Sequence, residues 1–84
     1  MPRKSIHTER HRKLRALLVG ERKARGLTQT EVAEKLGKPP SYVAKYELGE
    51  RRLDVLEYLD VAAAIGFDPC IVLRVLQEYG ASED

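Results

Sequence analysis

The side chains of this sequence that can do chemistry are mainly cations and hydrogen-bond donors, and they are not spaced for catalysis. His7 and His11 are four residues apart, so on a helix they would share a face and offer two ligands to a metal. Protein zinc sites use three or four ligands. No third ligand is near and Cys70 lies far along the chain, so no metal site is expected. No set of Ser, His and Asp, no glycine-rich phosphate loop and no pair of carboxylates at a catalytic spacing stands out. The chain therefore reads as a non-enzyme without a cofactor. The lone Cys70 is expected as a small buried apolar residue, not a redox switch. What is left is a series of donors and cations through the middle of the chain: Thr28, Gln29, Lys38, Ser41, Tyr42, Lys45, Arg51 and Arg52. Such groups bind anions and hydrogen-bond acceptors.

The charge distribution points the same way. The formal net charge is only +2, but residues 1 to 25 carry a net +7, residues 26 to 52 a net +1 and residues 53 to 84 a net −6. A basic front and an acidic back suggest one end that faces a polyanion and another with a separate task. A chain of 84 residues makes one domain with one compact core. With no Trp and a single Phe, Phe67, that core must be mostly aliphatic. One cysteine rules out an intramolecular disulfide and fits a reducing compartment. No apolar run approaches a membrane span, and the basic N-terminus lacks the apolar segment of a signal peptide. The expected location is the cytoplasm, with no membrane partner.

Five helices are expected to position these groups. Residues 1 to 7 read as a flexible basic arm, residues 8 to 80 as the folded domain and residues 81 to 84 as a frayed tail. Thr8 caps a first helix running to about Ala24, with Leu14, Leu17, Leu18 and Glu21 on one face. Thr28 and Glu31 have the capping-box spacing and open a second helix, with Val32, Ala33 and Leu36 as its stripe and Gly37 at its end. That helix is too short to be stable alone and must be packed. Pro40 is expected at the first position of a third helix, with Val43, Tyr46 and Glu47 pointing inward and Gly49 closing it. Asp54 and Glu57 repeat the capping-box spacing ahead of a fourth helix, whose apolar surface is Val55, Leu56, Leu59, Ala62, Ala63 and Ile65. Asp68 and Pro69 open a fifth helix, on which Val72, Val75, Leu76 and Tyr79 form one stripe. The fold class is all-α, with no strand.

The second and third helices, joined by a tight turn at Gly37, make a helix-turn-helix by spacing. Ala33 is small enough to let the two helices approach, and Val43 packs into their angle. Leu27, Thr28, Gln29, Val32, Ala33, Leu36, Gly37, Glu47 and Gly49 together resemble the phage repressor and Cro-like, XRE-type, helix-turn-helix family over about Leu14 to Ile65. The resemblance implies a five-helix lambda-repressor-like domain whose third helix enters the major groove of double-stranded DNA.

On that helix Pro40, Ser41, Ala44 and Lys45 then face the bases. Lys45 donates to guanine O6 and N7, Ser41 is a less selective donor or acceptor, and Ala44 meets a thymine methyl. Family members often carry a base-bonding Gln where this chain has Pro40, whose ring offers only apolar contact. By resemblance Gln29 bonds a phosphate beside the free N–H groups of its helix, and Arg51 and Arg52 meet the backbone again. Thr28, Lys38 and Tyr42 complete the expected phosphate contacts, and Arg3 and Lys4 of the arm extend toward DNA. The family also pairs inward-facing residues of the first and third helices, so Arg22 and Glu47 are expected to form a partly buried ion pair.

The fifth helix has more apolar surface than one stripe, and Ile71, Leu73, Val75 and Tyr79 are expected to form a two-fold homodimer interface. Two recognition helices about 34 Å apart would read a palindrome. The expected function is a sequence-specific DNA-binding transcriptional regulator of the Cro/C1 type, a repressor. The alternatives are the antitoxin of a toxin–antitoxin pair, with a protein toxin as partner, and a protein-interaction module that has lost DNA binding.

Overall fold

The computed structural model describes residues 8–79, and its regular structure is five helices: α1 (Glu9–Ala24), α2 (Gln29–Leu36), α3 (Ser41–Leu48), α4 (Val55–Ile65) and α5 (Pro69–Tyr79). Among the described residues there is no strand. The expectations for the basic arm (Arg3, Lys4 and His7 included) and for the tail at 81–84 lie outside the described residues.

Local chemistry sets the helix starts. The Thr8 hydroxyl accepts from the His11 N–H at 3.1 Å and opens α1. At α2 the Thr28 hydroxyl accepts from Glu31 N–H at 3.0 Å while the Glu31 carboxylate accepts from Thr28 N–H at 2.8 Å. The same reciprocal box joins Asp54 and Glu57 at 2.7 and 2.9 Å before α4. A side-chain cap of this kind contributes about 1 kcal/mol. α3 is the exception: Pro40 already has helical angles (φ −55°, ψ −32°) but stands just outside the helix, which starts at Ser41 without a side-chain cap.

Two glycines are required where they stand. Gly37 turns the chain between α2 and α3 at φ +69°, which lets Lys38 N–H reach back to the Ala33 carbonyl at 3.0 Å. Gly49 closes α3 at φ +86°, and a Cβ there would stand 2.9 Å from Cζ of Arg15.

Residues from all five helices meet in one core, which includes Leu18, Val32, Ala33, Val43, Tyr46, Tyr58, Val61, Ile65, Val72 and Leu76. α2 packs on α3 and α4, and α1 packs on α3 and α5. The helix-turn-helix angle closes on Ala33 and Val43, neither of which has any exposed surface. α2 and α3 are eight residues each, below the length at which an isolated helix persists. Burial of these side chains is what stabilises them.

The apolar surfaces of α4 and α5 divide between core and solvent, and the expectation for Cys70 is corrected. Of the apolar residues on α4 only Ala62 and Ile65 are buried, with Tyr58 and Val61, while Val55, Leu56, Leu59 and Ala63 are exposed. At 100° per residue they wrap past the one face that the core covers. On α5 only Val72 and Leu76 of the expected stripe are buried, and Val75 and Tyr79 are exposed. α5 lies at the edge of the bundle, packed mainly on α1, where Nζ of Lys13 stands 5.3 Å from the Tyr79 ring centroid. Cys70 is exposed, not buried: two residues before Val72, it faces away from the core.

Two buried tyrosines differ in one respect. The Tyr58 hydroxyl donates to the Pro69 carbonyl at 2.6 Å, whereas the buried Tyr46 hydroxyl has no partner. Tyr58→Phe should therefore lose about 1 kcal/mol in urea denaturation, and Tyr46→Phe should hold or gain stability of that order. Burial pushes the Tyr58 phenol up to about 12 and the Tyr46 phenol higher still. Unfolded phenols ionise near 10 while the native ones keep their protons. Stability should thus be full below pH 10 and fall as pH rises from about 10 to 12. Melting temperature against pH measures this, and Tyr46→Phe should flatten the fall.

Candidate nucleic-acid interface

α3 has two opposed sides. Val43 and Tyr46 are buried and Glu47 nearly so; Ser41, Lys45 and Leu48 are exposed and Ala44 is half-buried. Positions 41, 44, 45 and 48 follow helical spacing and so share one face. Pro40, also exposed, stands at the head of that row.

Glu47 fixes the orientation of this helix. Arg22 of α1 donates from Nε to Glu47 Oε2 at 2.8 Å and from Nη2 to Oε1 at 3.1 Å, a bidentate pair with side chains only 10% and 5% exposed. Nη1 of Arg22 donates to the Leu27 carbonyl in the α1–α2 link at 2.9 Å. The hydrogen bond to Glu47 raises the Arg22 pKa above its usual value and outweighs the opposing effect of burial. Gln29, the first residue of α2, donates from Nε2 to Glu47 Oε1 at 2.8 Å. One carboxylate thus joins α1, α2 and α3.

The same contact orients Gln29. Its amide nitrogen must face the carboxylate, which leaves a second N–H and the carbonyl oxygen for another partner. The main-chain N–H groups of Gln29 and Thr30, in the first turn of α2, have no intrahelical acceptor. Thr28 is exposed, and its hydroxyl oxygen serves as the cap while keeping a proton to donate.

A second cluster stands at the flank of α3. The half-buried Tyr42 ring packs edge-on against Tyr46, with centroids 5.9 Å apart. Nζ of Lys38 lies 5.4 Å and Cζ of Arg51 lies 5.0 Å from its centroid, both over the ring. Arg51 is also bonded to the carboxylate of Glu57 on α4. Lys38, Pro39, Ser41, Tyr42, Lys45 and Arg51 line a shallow hollow of about 370 Å³. Expected phosphate contacts and expected base contacts therefore meet around one hollow with three cations. Arg52 is exposed and outside it, and Gln29 and Thr28 belong to the neighbouring start of α2.

Glu57 is the residue that sequence spacing gave only half of. One of its oxygens closes the α4 cap, and the other holds Arg51, six residues back across a loop. No helical periodicity links the two. Leu48 is similar: its outward position was readable, but not its large exposure of 67% at the end of the outward row of α3.

Of the residues expected at a dimer interface, Ile71, Leu73, Val75 and Tyr79 are 54%, 49%, 37% and 47% exposed. Ile71, Val75 and Tyr79 run along one flank of α5, and Leu73 lies on the other, 200° round from Ile71. Among the described residues no group of three His, Cys, Asp or Glu is placed to hold a metal, and no helix is long and apolar enough to cross a membrane. Nδ1 of His11 is engaged by Nη1 of Arg15 at 2.7 Å.

Two helices crossing at a glycine turn, the second with one face buried and the other exposed, define a helix-turn-helix protein. The helix-turn-helix family model matches residues 21–72. Among solved structures, an XRE-family like protein from Pseudomonas syringae pv. tomato str. DC3000 is 46% identical, with a TM-score of 0.83 over 88% of this chain and 90% of that one. The chain belongs to the XRE-type helix-turn-helix family, whose members are DNA-binding transcriptional regulators and not enzymes. No curated protein sequence matches it.

Removing one partner of a buried, hydrogen-bonded pair strands the other charge, at a cost of about 3–5 kcal/mol. Glu47→Ala should therefore lower the unfolding free energy by that amount in urea titration, and replacing Arg22 and Glu47 together by Met and Leu should recover much of it. An unchanged midpoint for Glu47→Ala would show that the helices do not need the pair.

Proposed function

We propose that this protein is a sequence-specific transcriptional repressor in the cytoplasm that binds a palindromic operator in double-stranded DNA as a homodimer. The observation that carries this reading is the junction of the base-facing row of α3 with the three-cation hollow beside it. Lys45, Ser41 and Ala44 read base edges in the major groove, and Pro40 contributes apolar contact. Thr28, Gln29, Lys38, Tyr42, Arg51 and Arg52 hold the phosphates on either side and set the register. The first-turn N–H groups of α2 add a partial positive charge at the same place.

The dimer forms through α5, on Ile71, Val75 and Tyr79 of one flank and Leu73 of the other. The acidic C-terminal third then lies away from the phosphates. The three cations around the hollow favour DNA binding over an interaction module that has lost it.

Selection from a random duplex library at near-physiological salt tests the whole reading. The expected result is enrichment of a two-fold symmetric site with half-sites about one helical turn apart. No enrichment, with only salt-sensitive binding or none, would overturn it. Within the enriched site, Lys45→Ala should cost about 1–3 kcal/mol at one base pair and relax the preference there. Arg52→Ala should instead weaken all sequences alike and reduce the slope of log affinity against log salt by about one. Binding titrations over a salt series separate the two effects.

A further inference from the structure

α4 is apolar on both sides. Tyr58, Val61, Ala62 and Ile65 face the core, while Val55, Leu56 and Leu59 are 72%, 71% and 42% exposed and Ala63 is exposed beside them. A single exposed leucine needs no explanation. A continuous row along the outer face of one helix is a surface with something to bury. Its C-terminal half borders a groove of about 530 Å³ between α2 and α4, lined by Lys35, Leu36, Asp60, Ala63 and Ala64. The groove combines Leu36, Ala63 and Ala64 with one cation on the α2 wall and one anion on the α4 wall. Lys35 and Asp60 are both exposed, and neither belongs to the ion pairs seen among the described residues. Ser41, Ala44, Lys45 and the cationic hollow are not part of this surface.

We infer that this face, from Leu56 to the Lys35–Asp60 groove, is a self-association surface that takes a second copy of the chain about a two-fold axis. A groove with one charge of each sign on opposite walls is complementary to itself. The two-fold brings Lys35 of each copy to Asp60 of the other, so the same favourable pair forms twice. A partner carrying one sign of charge would meet a like charge on one wall. The segment 53–84 carries a net −6, so contact between two copies needs a cation to offset that charge. Lys35 of α2 is the cation that the groove supplies. The apolar row of Leu56, Leu59 and Ala63 lies beside this charge pair, as an apolar centre with a polar rim. The surface lies on different helices from the α5 flank, so it adds a second contact and does not replace the first. A chain with both faces links one DNA-bound dimer to the next.

Sedimentation velocity of the full chain without DNA, over a concentration series, tests this in a background where Ile71→Ser and Val75→Ser remove the α5 contact. Asp60→Lys and Lys35→Asp should each weaken the remaining association about tenfold or more. The combination Lys35→Asp with Asp60→Lys should restore it to within about threefold. Leu56→Ser with Leu59→Ser should weaken it without charge reversal. All these positions are exposed, and circular dichroism melts verify that each variant folds. Folded variants with unchanged association, a charge swap that fails to restore it, or a background protein that is monomeric throughout would each overturn the inference. None of these results bears on the operator selection, so the two readings fail separately.

Discussion

The Glu47 carboxylate is the point on which the geometry of the helix-turn-helix depends. It receives two hydrogen bonds from Arg22 of α1 and one from Gln29 of α2, while the third Arg22 nitrogen holds the link between those helices. α3 has no side-chain cap and only eight residues, so little in its own sequence defines where it points. Apolar packing on Val43 and Tyr46 holds it to the core but is non-directional. The bidentate pair supplies direction, because guanidinium and carboxylate must be coplanar and in register. The pair need not stabilise the fold beyond what a well-packed apolar pair would. Its distinct contribution is to tie three helices to one angle.

A similar economy operates at Glu57. As a capping residue it accepts from the N–H of Asp54, the residue that caps α4, and its remaining oxygen holds Arg51 above Tyr42, beside the outward row of α3. α4 is thereby coupled to the surface that α3 presents. Arg51 and Glu57 are partly exposed, and an ion pair of that kind is worth little. A phosphate can draw on the same guanidinium at low cost, while the pairing keeps the side chain oriented beforehand. Glu47 and Glu57 therefore do different work: the first is buried and holds helices, and the second is accessible and holds a side chain.

The parts of the fold that were legible in the sequence are those written in local spacing. Capping boxes at Thr28–Glu31 and Asp54–Glu57, the glycines after α2 and α3, and the inward row Val43–Tyr46–Glu47 all depend on residues within a turn or two of each other. Arg22 and Glu47 were readable as inward positions, although 25 residues separate them. What the sequence did not show depends on which neighbour covers which face. Leu56 and Leu59 look like core residues until α4 is seen to be covered on one side only. Cys70 looks buried by type, but its angular position on α5 faces outward. The link from Arg51 to Glu57 and the unpartnered Tyr46 hydroxyl arise from tertiary placement and leave no periodic trace.

Pro40 shows how one residue redistributes the work of the interface. Its ring presets the helical φ at the head of α3, which suits a helix that has no side-chain cap. It brings no donor, so base recognition on the proposed reading passes along the row to Ser41, Ala44 and Lys45. Leu48, at the far end of that row and largely exposed, makes the row apolar at both ends and polar between them. Such a surface is suited to bases with methyl groups flanking one strong acceptor pair. On the same reading, with few donors on α3, a larger share of the binding free energy comes from Lys38, Arg51 and Arg52, and that share is sensitive to salt. Positioning then matters more than the number of base contacts, and the proposed reading gives the buried Arg22–Glu47–Gln29 network a bearing on recognition without a contact to a base.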